Sequence, residues 1–211
     1  KEVINIKYSQ IPDEKTIVKC ADGSIYEADH VIITVSLGVL KAQHNNLFSP
    51  ALSDKKISVI ENYAYGTVGK IFLDFEEIFW EEHEAFAFLW LEEELNELKS
   101  SDKKWLAGIA GFYNFDSFPN SLEGFVSGEH IEIFEEISDE KLITDCMWLF
   151  EKFLNRNLTK PRAMKRTNWK SNRHFQGSYS NLNMGMEKLN FKPHDLAEPV
   201  RKLDGNAFLH F

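Results

Sequence analysis

The hydrophobic pattern of the first forty residues predicts a small β-sheet. Residues 3–8 and 16–20 carry β-branched residues among polar ones, and both segments are predicted to be strands. The Asp-Gly pair within residues 21–24 is typical of a tight hairpin turn. Residues 28–35 form the longest β-branched run and do not alternate with polar residues. This run predicts a strand that is buried on both faces of a larger sheet.

Capping residues and apolar spacing then predict two helices. Ser53 precedes a helix that carries Ile57 and Ile60 on one side. Ser138 precedes a longer helix that is expected to end near Asn155. The longer helix has the clearest 3.6-residue apolar period in the sequence.

Further strands are expected between these helices, at residues 70–75, 86–91 and 105–113. The acidic segment 92–97 is expected to be a loop or a helix. Residues 167–199 are rich in Asn, Ser and Gly and have weak periodicity, so we expect extended loops there. Long structured loops in folded domains are more often functional than idle. The predicted fold class is α+β, with a mixed β-sheet flanked by helices.

The composition is that of an acidic, folded protein. The 24 basic and 33 acidic residues give a formal net charge of −9, and 43% of the residues are hydrophobic. The acidic balance argues against nucleic acid as the main partner, and no apolar stretch approaches the ~20 residues that span a bilayer. The charge favours a cationic ligand, although it is also ordinary for a soluble protein. Cys20 and Cys146 form no CxxC motif, so a reducing compartment, the cytoplasm, is expected.

Several common catalytic and metal-binding motifs are missing from the sequence. It contains no HExxH, GxSxG, GxxxxGK[ST] or GxGxxG pattern. The seven histidines include no pair at i, i+4 spacing, so no metal site is predicted. The sequence begins with Lys1 and ends on an apolar run at residues 208–211 that is typical of a strand. We therefore expect it to be a piece of a longer protein.

Three segments, in order, resemble motifs of the flavin-containing amine oxidases. The resemblance is to the polyamine oxidase branch, which includes spermine oxidases and acetylpolyamine oxidases. Residues 28–40 read ADHVIITVSLGVL, residues 66–75 read GTVGKIFLDF, and residues 169–180 read WKSNRHFQGSYS. Together these segments span most of the chain.

The resemblance implies a two-domain enzyme that binds FAD. Residues 1–40 would be the middle segment of a Rossmann-like FAD-binding domain, and residues 204–211 would begin its C-terminal segment. Residues 41–203 would form the substrate-binding domain. The dinucleotide fingerprint would precede this sequence, and a Gly-Glu flavin motif would follow it.

The resemblance also implies roles for three side chains. A lysine on a protein surface is usually solvated, but Lys70 matches the catalytic lysine that holds a water against the central-ring nitrogen of the flavin. Trp169, which would otherwise be an ordinary core residue, matches a tryptophan that packs beside the flavin and contributes to substrate binding. Tyr179 matches one wall of the aromatic cage around the substrate amine. The second wall of this cage would lie outside the sequence.

Three more residues are implied to bind the cofactor. Val3, Thr34 and Val35 match positions that line the adenine and pyrophosphate end of FAD, although strand packing alone explains these residue types equally well. The third motif departs from the family pattern at Arg173 and His174, where the family has a proline and an aromatic residue. An inward-pointing Arg173 would disfavour a cationic substrate.

The function implied by the resemblance is FAD-dependent oxidation of spermine, spermidine or their N-acetylated forms. Hydride transfer to flavin would be followed by imine hydrolysis and release of hydrogen peroxide. The alternatives are a flavin-type histone lysine demethylase and a catalytically degenerate relative kept as an interaction module. The expected partners are a polyamine and oxygen, without nucleic acid or membrane, in the cytoplasm or the peroxisome. By itself, the 211-residue chain is expected to be inactive, because it lacks the glycine-rich turn that grips the pyrophosphate.

Overall fold

The computed structural model describes residues 1–80, 85–115, 117–155 and 157–211. These residues form two compact units. The first unit contains Lys1–Tyr65 and Arg173–Phe211, and the second contains Gly66–Asn172. His83, one of the seven histidines considered in the search for metal motifs, lies outside the described residues.

The secondary structure alternates short strands with helices. In chain order the strands are β1 (Val3–Lys7), β2 (Thr16–Cys20), β3 (Ile25–Ala28), β4 (Val31–Ile32), β5 (Phe48–Ser49), β6 (Ala64–Gly66), β7 (Val68–Asp74), β8 (Ala85–Phe86), β9 (Ile109–Phe115), β10 (Phe118–Ser127), β11 (Ala163–Arg166), β12 (Tyr179–Asn181), β13 (Val200–Arg201) and β14 (Ala207–His210). The α-helices are α1 (Leu37–Leu47), α2 (Asp54–Asn62), α3 (Glu92–Lys99), α4 (Ile131–Glu136), α5 (Asp139–Leu154), α6 (Met184–Lys188) and α7 (Pro193–Ala197). Short 3-10 helices occupy Lys104–Gly108 and Gly128–His130.

The first unit combines antiparallel and parallel strand pairs. One sheet has the order β3-β2-β1-β5, in which β1 is antiparallel to β2 and parallel to β5. A second sheet has the order β13-β14-β4, and β4 pairs in parallel with β14 through Val31 and Leu209. Helices α1 and α2 cover these strands with buried residues that include Leu40 and Ile60. The predicted hairpins of β1, β2 and β3 are confirmed.

The predicted strand at residues 28–35 is wrong in its length and in its burial. Within this range Ala28 is the last residue of β3 and Val31–Ile32 forms β4, and Ile32 is 71% exposed while Ile33 is buried. The reason is that, among the residues that the structure describes, β4 lies at the edge of its sheet and pairs with β14.

The second unit is built on one five-stranded sheet with the order β11-β7-β10-β9-β8, in which each described pair is antiparallel. One face of this sheet packs against α4 and α5, through buried residues that include Ile71, Leu73 and Phe150. Trp105 is fully buried in the same core, and its Nε1 donates to Asp145 Oδ2 at 2.8 Å.

Both predicted helix starts are confirmed. The Ser53 side chain accepts a hydrogen bond from the backbone N–H of Lys56, and Ser138 accepts one from Lys141. Helix α5 ends at Leu154, and Asn155 follows in the left-handed conformation, with φ 50°. These serines satisfy N–H groups that the first helical turn leaves without a partner in the helix.

Other boundaries differ from the prediction. The strand expected at 86–91 is limited to β8, and the strand expected at 105–113 begins only at Ile109, after a 3-10 turn. The acidic segment 92–97 belongs to the helix α3. Helix α1 and strand β10 were not predicted. Residues 167–199 are mostly loop but also contain β12, α6 and α7.

The α+β class with mixed sheets is confirmed, whereas the two compact units do not follow the predicted domain boundaries. Residues 41–65 and 173–203 belong to the same unit as residues 1–40 and 204–211. This grouping arises because α1 packs against β1 and α2, and α2 in turn packs against α6 and α7. Which segment binds FAD and which binds the substrate stays a prediction.

The two cysteines are both buried free thiols. Burial raises the pKa of the Cys146 thiol well above its ordinary value, so this thiol is a poor nucleophile. No helix among the described residues has the length and apolar character needed to cross a membrane.

Lys56 is a buried lysine in α2 of the first unit. Its Nζ donates to the backbone carbonyls of Leu196, at 2.8 Å, and Glu198, at 2.5 Å. The ammonium also lies 4.2 Å from the centroid of the Phe211 ring. Burial lowers the pKa of Lys56 from 10.5 to about 8. The carbonyls accept two hydrogen bonds from this group, and the charges of the Glu198 and Asp195 carboxylates offset only part of the cost of burying it.

We predict that Lys56 makes the protein more stable as the pH rises from about 8 to 10.5. In this window folded Lys56 has lost its proton and the unfolded state retains it, so the unfolding free energy increases with pH. One pKa unit corresponds to ~1.4 kcal/mol. The unfolding free energy of the wild type should therefore rise by roughly 3 kcal/mol relative to that of Lys56→Met over this pH window. Urea unfolding at a series of pH values measures this difference.

Lys55→Met is the matched control for this measurement. Lys55 is largely exposed, and hydrogen bonds to Glu198 and Asp195 raise its pKa rather than lower it. The difference in unfolding free energy between Lys55→Met and the wild type should therefore stay constant between pH 8 and 10. If the difference for Lys56→Met were also constant, the lowered pKa of Lys56 would be wrong.

Candidate functional site

Lys70 lies on the face of the five-stranded sheet that points away from the hydrophobic core of the second unit. Burial alternates along β7, where Gly69, Ile71 and Leu73 are buried and Lys70 and Phe72 are half-buried. This alternation is the two-residue period of a strand with one face in a core. We call the half-buried side of β7 and β10 the open face.

The Lys70 ammonium is held by two groups of β10. Its Nζ lies 2.6 Å from Glu123 Oε1 and 4.8 Å from the centroid of the Phe125 ring. The Lys70 side chain is 35% exposed and that of Glu123 is only 10% exposed. A lysine on a half-buried surface is expected to be paired in this way. The pair gives the open face a fixed positive charge beside a buried negative one.

The structure connects Lys70 to Trp169 through Thr167. The backbone N–H of Lys70 donates to Thr167 Oγ1 at 2.9 Å, and the backbone N–H of Thr167 donates to the carbonyl of Lys70 at 2.9 Å. Trp169 follows two residues later and is half-buried. The Glu135 carboxylate then accepts from the backbone N–H groups of Lys170 and Ser171, at 2.8 and 2.7 Å. The chain around Trp169 is therefore fixed on both sides.

The three predicted cofactor residues line one cavity in the first unit. Val3, Thr34 and Val35 surround a space of about 500 Å³ whose other walls include the apolar side chains of Val31 and Ile33. A cavity of this size and apolar character is typical of small-molecule sites. The structure brings these three residues together, although they are separated by about thirty positions in sequence.

Arg173 and His174 line the same cavity. The Arg173 guanidinium forms an ion pair with the Glu2 carboxylate at 2.8 Å. The departure from the family motif at residue 173 therefore places a compensated cation beside the predicted cofactor residues. Such a guanidinium is suited to an anionic group such as a phosphate.

Gly38 allows the first and third sequence motifs to meet in the first unit. A Cβ atom at residue 38 would lie 2.5 Å from the Phe175 carbonyl oxygen and 2.7 Å from the Tyr65 ring. Ser36, the N-cap of α1, donates its Oγ–H to the same Phe175 carbonyl at 2.5 Å. The Ser-Leu-Gly sequence is therefore a docking point for residues 175–176.

Tyr179 lies in β12 of the first unit, and its side chain is 59% exposed. It is not among the residues that line the cavity around Val3. Trp169 belongs to the second unit. Their predicted approach to a single cavity beside the flavin stays a prediction.

Sequence reasoning did not find Glu123, Glu135 or Thr167 as site residues. Glu123 reaches Lys70 because β10 and β7 pair in a particular register, with Phe125 opposite Lys70 and Glu123 opposite Phe72. This register was not available from the sequence, since β10 itself was not predicted. Glu135 lies 35 positions before Lys170, and no spacing rule connects it to residues 170–171.

Comparison with known proteins gives a consistent set of similarities. A sequence profile described as flavin containing amine oxidoreductase matches residues 1–209. The chain is 34% identical over 178 residues to the peroxisomal N(1)-acetyl-spermine/spermidine oxidase of Bos taurus, covering 80% of this chain and 34% of the relative. It is 30% identical to polyamine oxidase 1 of Zea mays, covering 96% of this chain and 38% of the relative.

Two further comparisons concern a different activity and the fold. The histone demethylase-like protein A of Aspergillus fumigatus is 34% identical over 173 residues, covering 79% of this chain and 16% of the relative. Putrescine oxidase bound to putrescine has a TM-score of 0.65 at 18% identity, covering 99% of this chain and 41% of that chain, and this likeness concerns the fold alone. The chain spans about a third of the length of the polyamine oxidase relatives.

We predict that Gly38→Ala destabilises the protein by about 1–3 kcal/mol, because the added methyl group would force residues 175–176 away from α1. Urea unfolding measures the loss. Gly66→Ala is the control, since a Cβ atom there meets nothing within 4 Å and the unfolding free energy should be unchanged or slightly raised. Equal effects of the two substitutions would contradict the close approach at Gly38.

Proposed function

This chain belongs to the family of flavin-containing amine oxidoreductases, and on that premise we propose that its full-length protein is an FAD-dependent polyamine oxidase. The family match confirms the resemblance found in the motifs and the predicted cofactor, FAD. We propose spermine, spermidine or their N-acetylated forms as substrates. The names of the bovine and maize relatives support this substrate class.

The structural observation that carries the proposal is the fixed ammonium of Lys70 on the open face. It lies 2.6 Å from Glu123 Oε1, and its strand is joined through Thr167 to the segment that carries Trp169. When bound, FAD would supply the acceptor for a hydride from the carbon next to the substrate nitrogen, and its reoxidation by oxygen would yield hydrogen peroxide. A positive charge held in place before the reaction stabilises negative charge that develops nearby. We assign this role to Lys70.

The remaining site residues have proposed roles in binding. Tyr179 contributes one wall of a cage that excludes water and favours the neutral amine, since apolar surroundings disfavour an ammonium. Trp169 contacts both the substrate and the cofactor. The imine formed on the substrate is then hydrolysed by water to an aldehyde and an amine.

The residues around the first-unit cavity fit a nucleotide cofactor. Val3, Thr34 and Val35 supply apolar contacts, and the Arg173 guanidinium supplies a cation for a phosphate. We propose that residues 1–40 and 204–211 belong to the FAD-binding domain and that residues 41–203 bind the substrate. The cytoplasm is the proposed compartment, and the name of the bovine relative makes the peroxisome the alternative.

A flavin-type histone lysine demethylase is the second candidate function. The similarity to the demethylase-like protein of Aspergillus fumigatus, at 34% identity over 79% of the chain, favours it. The two candidates share the oxidation of a carbon next to an amine nitrogen. They differ in whether the substrate is a free polyamine or a methylated lysine in a peptide. A catalytically degenerate relative would oxidise neither.

The experiment that tests the proposal is anaerobic mixing of the purified full-length protein with candidate amines. We expect the flavin absorbance to bleach with spermine, spermidine or an N-acetylated polyamine, and peroxide to form once oxygen is admitted. Bleaching only with a methylated histone peptide would favour the demethylase, and bleaching with neither would favour the degenerate relative. The isolated 211-residue chain is the control, and we expect it to bind no FAD because it lacks a GxGxxG turn.

We predict that Lys70→Met slows flavin turnover in the full-length protein by tenfold or more, ~1.4 kcal/mol in activation free energy, while FAD content falls much less. The physical reason is the loss of the fixed ammonium on the open face. Lys165→Met is the matched control, because Lys165 is an exposed lysine opposite Phe72 on the neighbouring strand. A steady-state rate within about twofold of the wild type would contradict the role of Lys70.

A further inference from the structure

Glu123 is a buried acid whose role the family motifs do not explain. It lies on β10, its side chain is 10% exposed, and its Oε1 is 2.6 Å from Lys70 Nζ. We propose that Glu123 is a positioning residue, which holds the Lys70 ammonium at the flavin site and offsets part of its charge. This inference rests on the proposed function, because it assigns Glu123 a role through Lys70.

The register of the sheet brings the two side chains together. Lys70 is directly opposite Phe125, and Phe72 is directly opposite Glu123, so Lys70 and Glu123 are diagonal neighbours on the open face. Diagonal neighbours on antiparallel strands are within reach of long side chains. The Phe125 ring, 4.8 Å from Nζ, adds a cation–π contact from the same strand. Charge and ring together restrict a flexible side chain to one position.

The backbone of Lys70 is fixed as well. Thr167 accepts from its N–H through Oγ1 and donates to its carbonyl through the backbone N–H, both at 2.9 Å. These bonds come from the strand side opposite to β10, since β7 lies between β11 and β10. The Lys70 main chain is therefore fixed by Thr167, which follows β11, and its ammonium is fixed by Glu123 of β10.

Burial of Glu123 determines the electrostatic effect of the pair. Solvent does not screen a buried carboxylate effectively, so its charge opposes the field of Lys70 at any group bound on the open face. Glu123→Gln keeps a carbonyl oxygen that accepts from Nζ but removes the opposing charge. Lys70→Met has the reverse effect, because it leaves the buried carboxylate without its partner. The two substitutions should therefore shift the flavin reduction potential in opposite directions.

The test uses the FAD-loaded full-length protein in four forms, namely wild type, Glu123→Gln, Lys70→Met and the double variant. The flavin midpoint potential is measured by dye equilibration, and urea unfolding gives the folding midpoint. We expect Glu123→Gln to favour reduction severalfold, up to about tenfold in the equilibrium constant, which is ~30 mV for two electrons. Lys70→Met should lower both the flavin midpoint potential and the urea concentration at the unfolding midpoint. In the double variant both values should return most of the way to those of the wild type.

Glu132→Gln is the matched control. Glu132 is an exposed acid of α4 that pairs with Lys170 at 3.7 Å, so removal of its charge should change neither the potential nor the urea midpoint. If Glu123→Gln fails to fold, Glu123→Asp keeps the charge and withdraws the carboxylate from Nζ by one methylene group. It should then retain the potential of the wild type and slow flavin turnover severalfold.

The outcomes separate this inference from the proposed function. If Lys70→Met changes neither turnover nor potential, the role proposed for Lys70 is wrong. If Lys70→Met changes both while Glu123→Gln changes the potential less than twofold in the equilibrium constant, the inference about Glu123 is overturned and the pair is only structural. A shift towards less favourable reduction in Glu123→Gln would also overturn it.

Discussion

The requirement that a half-buried charge be compensated organises the candidate site. Lys70 is placed on the open face by the two-residue period of β7, which at the same time buries Ile71 and Leu73 in the core. An ammonium in that position needs a partner, and the pairing register with β10 supplies Glu123. The stability of the sheet and the electrostatics of its open face therefore depend on the same contact. A change to one member of the pair alters both properties.

The three motifs that resemble the amine oxidases act as contact points within each unit. In the first unit, Ser36 and Gly38 dock residues 175–176, so the first motif meets the third. In the second unit, Thr167 links the strand of Lys70 to the segment of Trp169, so the second motif meets the start of the third. The third motif changes unit between residues 172 and 173. The start of this motif therefore packs within the second unit, and its later residues pack within the first.

Features encoded by neighbouring residues were predictable from the sequence, whereas features that depend on strand pairing were not. The starts of α2 and α5 follow from serine caps, which act within one turn. Among the described residues β4 pairs with β14, which limits its length, and the Lys70 pair depends on the register of β10, which brings in Glu123 from 53 positions away. The motif resemblance predicts Lys70 as a site residue, but it did not point to Glu123, its partner in this chain.

Two lysines of this chain show how the kind of compensation determines what a buried ammonium can do. Lys56 donates to the backbone carbonyls of Leu196 and Glu198, which carry only partial charges. The Glu198 and Asp195 carboxylates favour its charged form without accepting a hydrogen bond from it, and burial still lowers its pKa to about 8. Lys70 faces the full negative charge of Glu123 at 2.6 Å. A carboxylate partner therefore suits a lysine that must act as a fixed cation, whereas carbonyl partners suit one that only fills space in the fold. The partner of the ammonium, a carboxylate for Lys70 and carbonyls for Lys56, is therefore what distinguishes the candidate site lysine from the structural lysine.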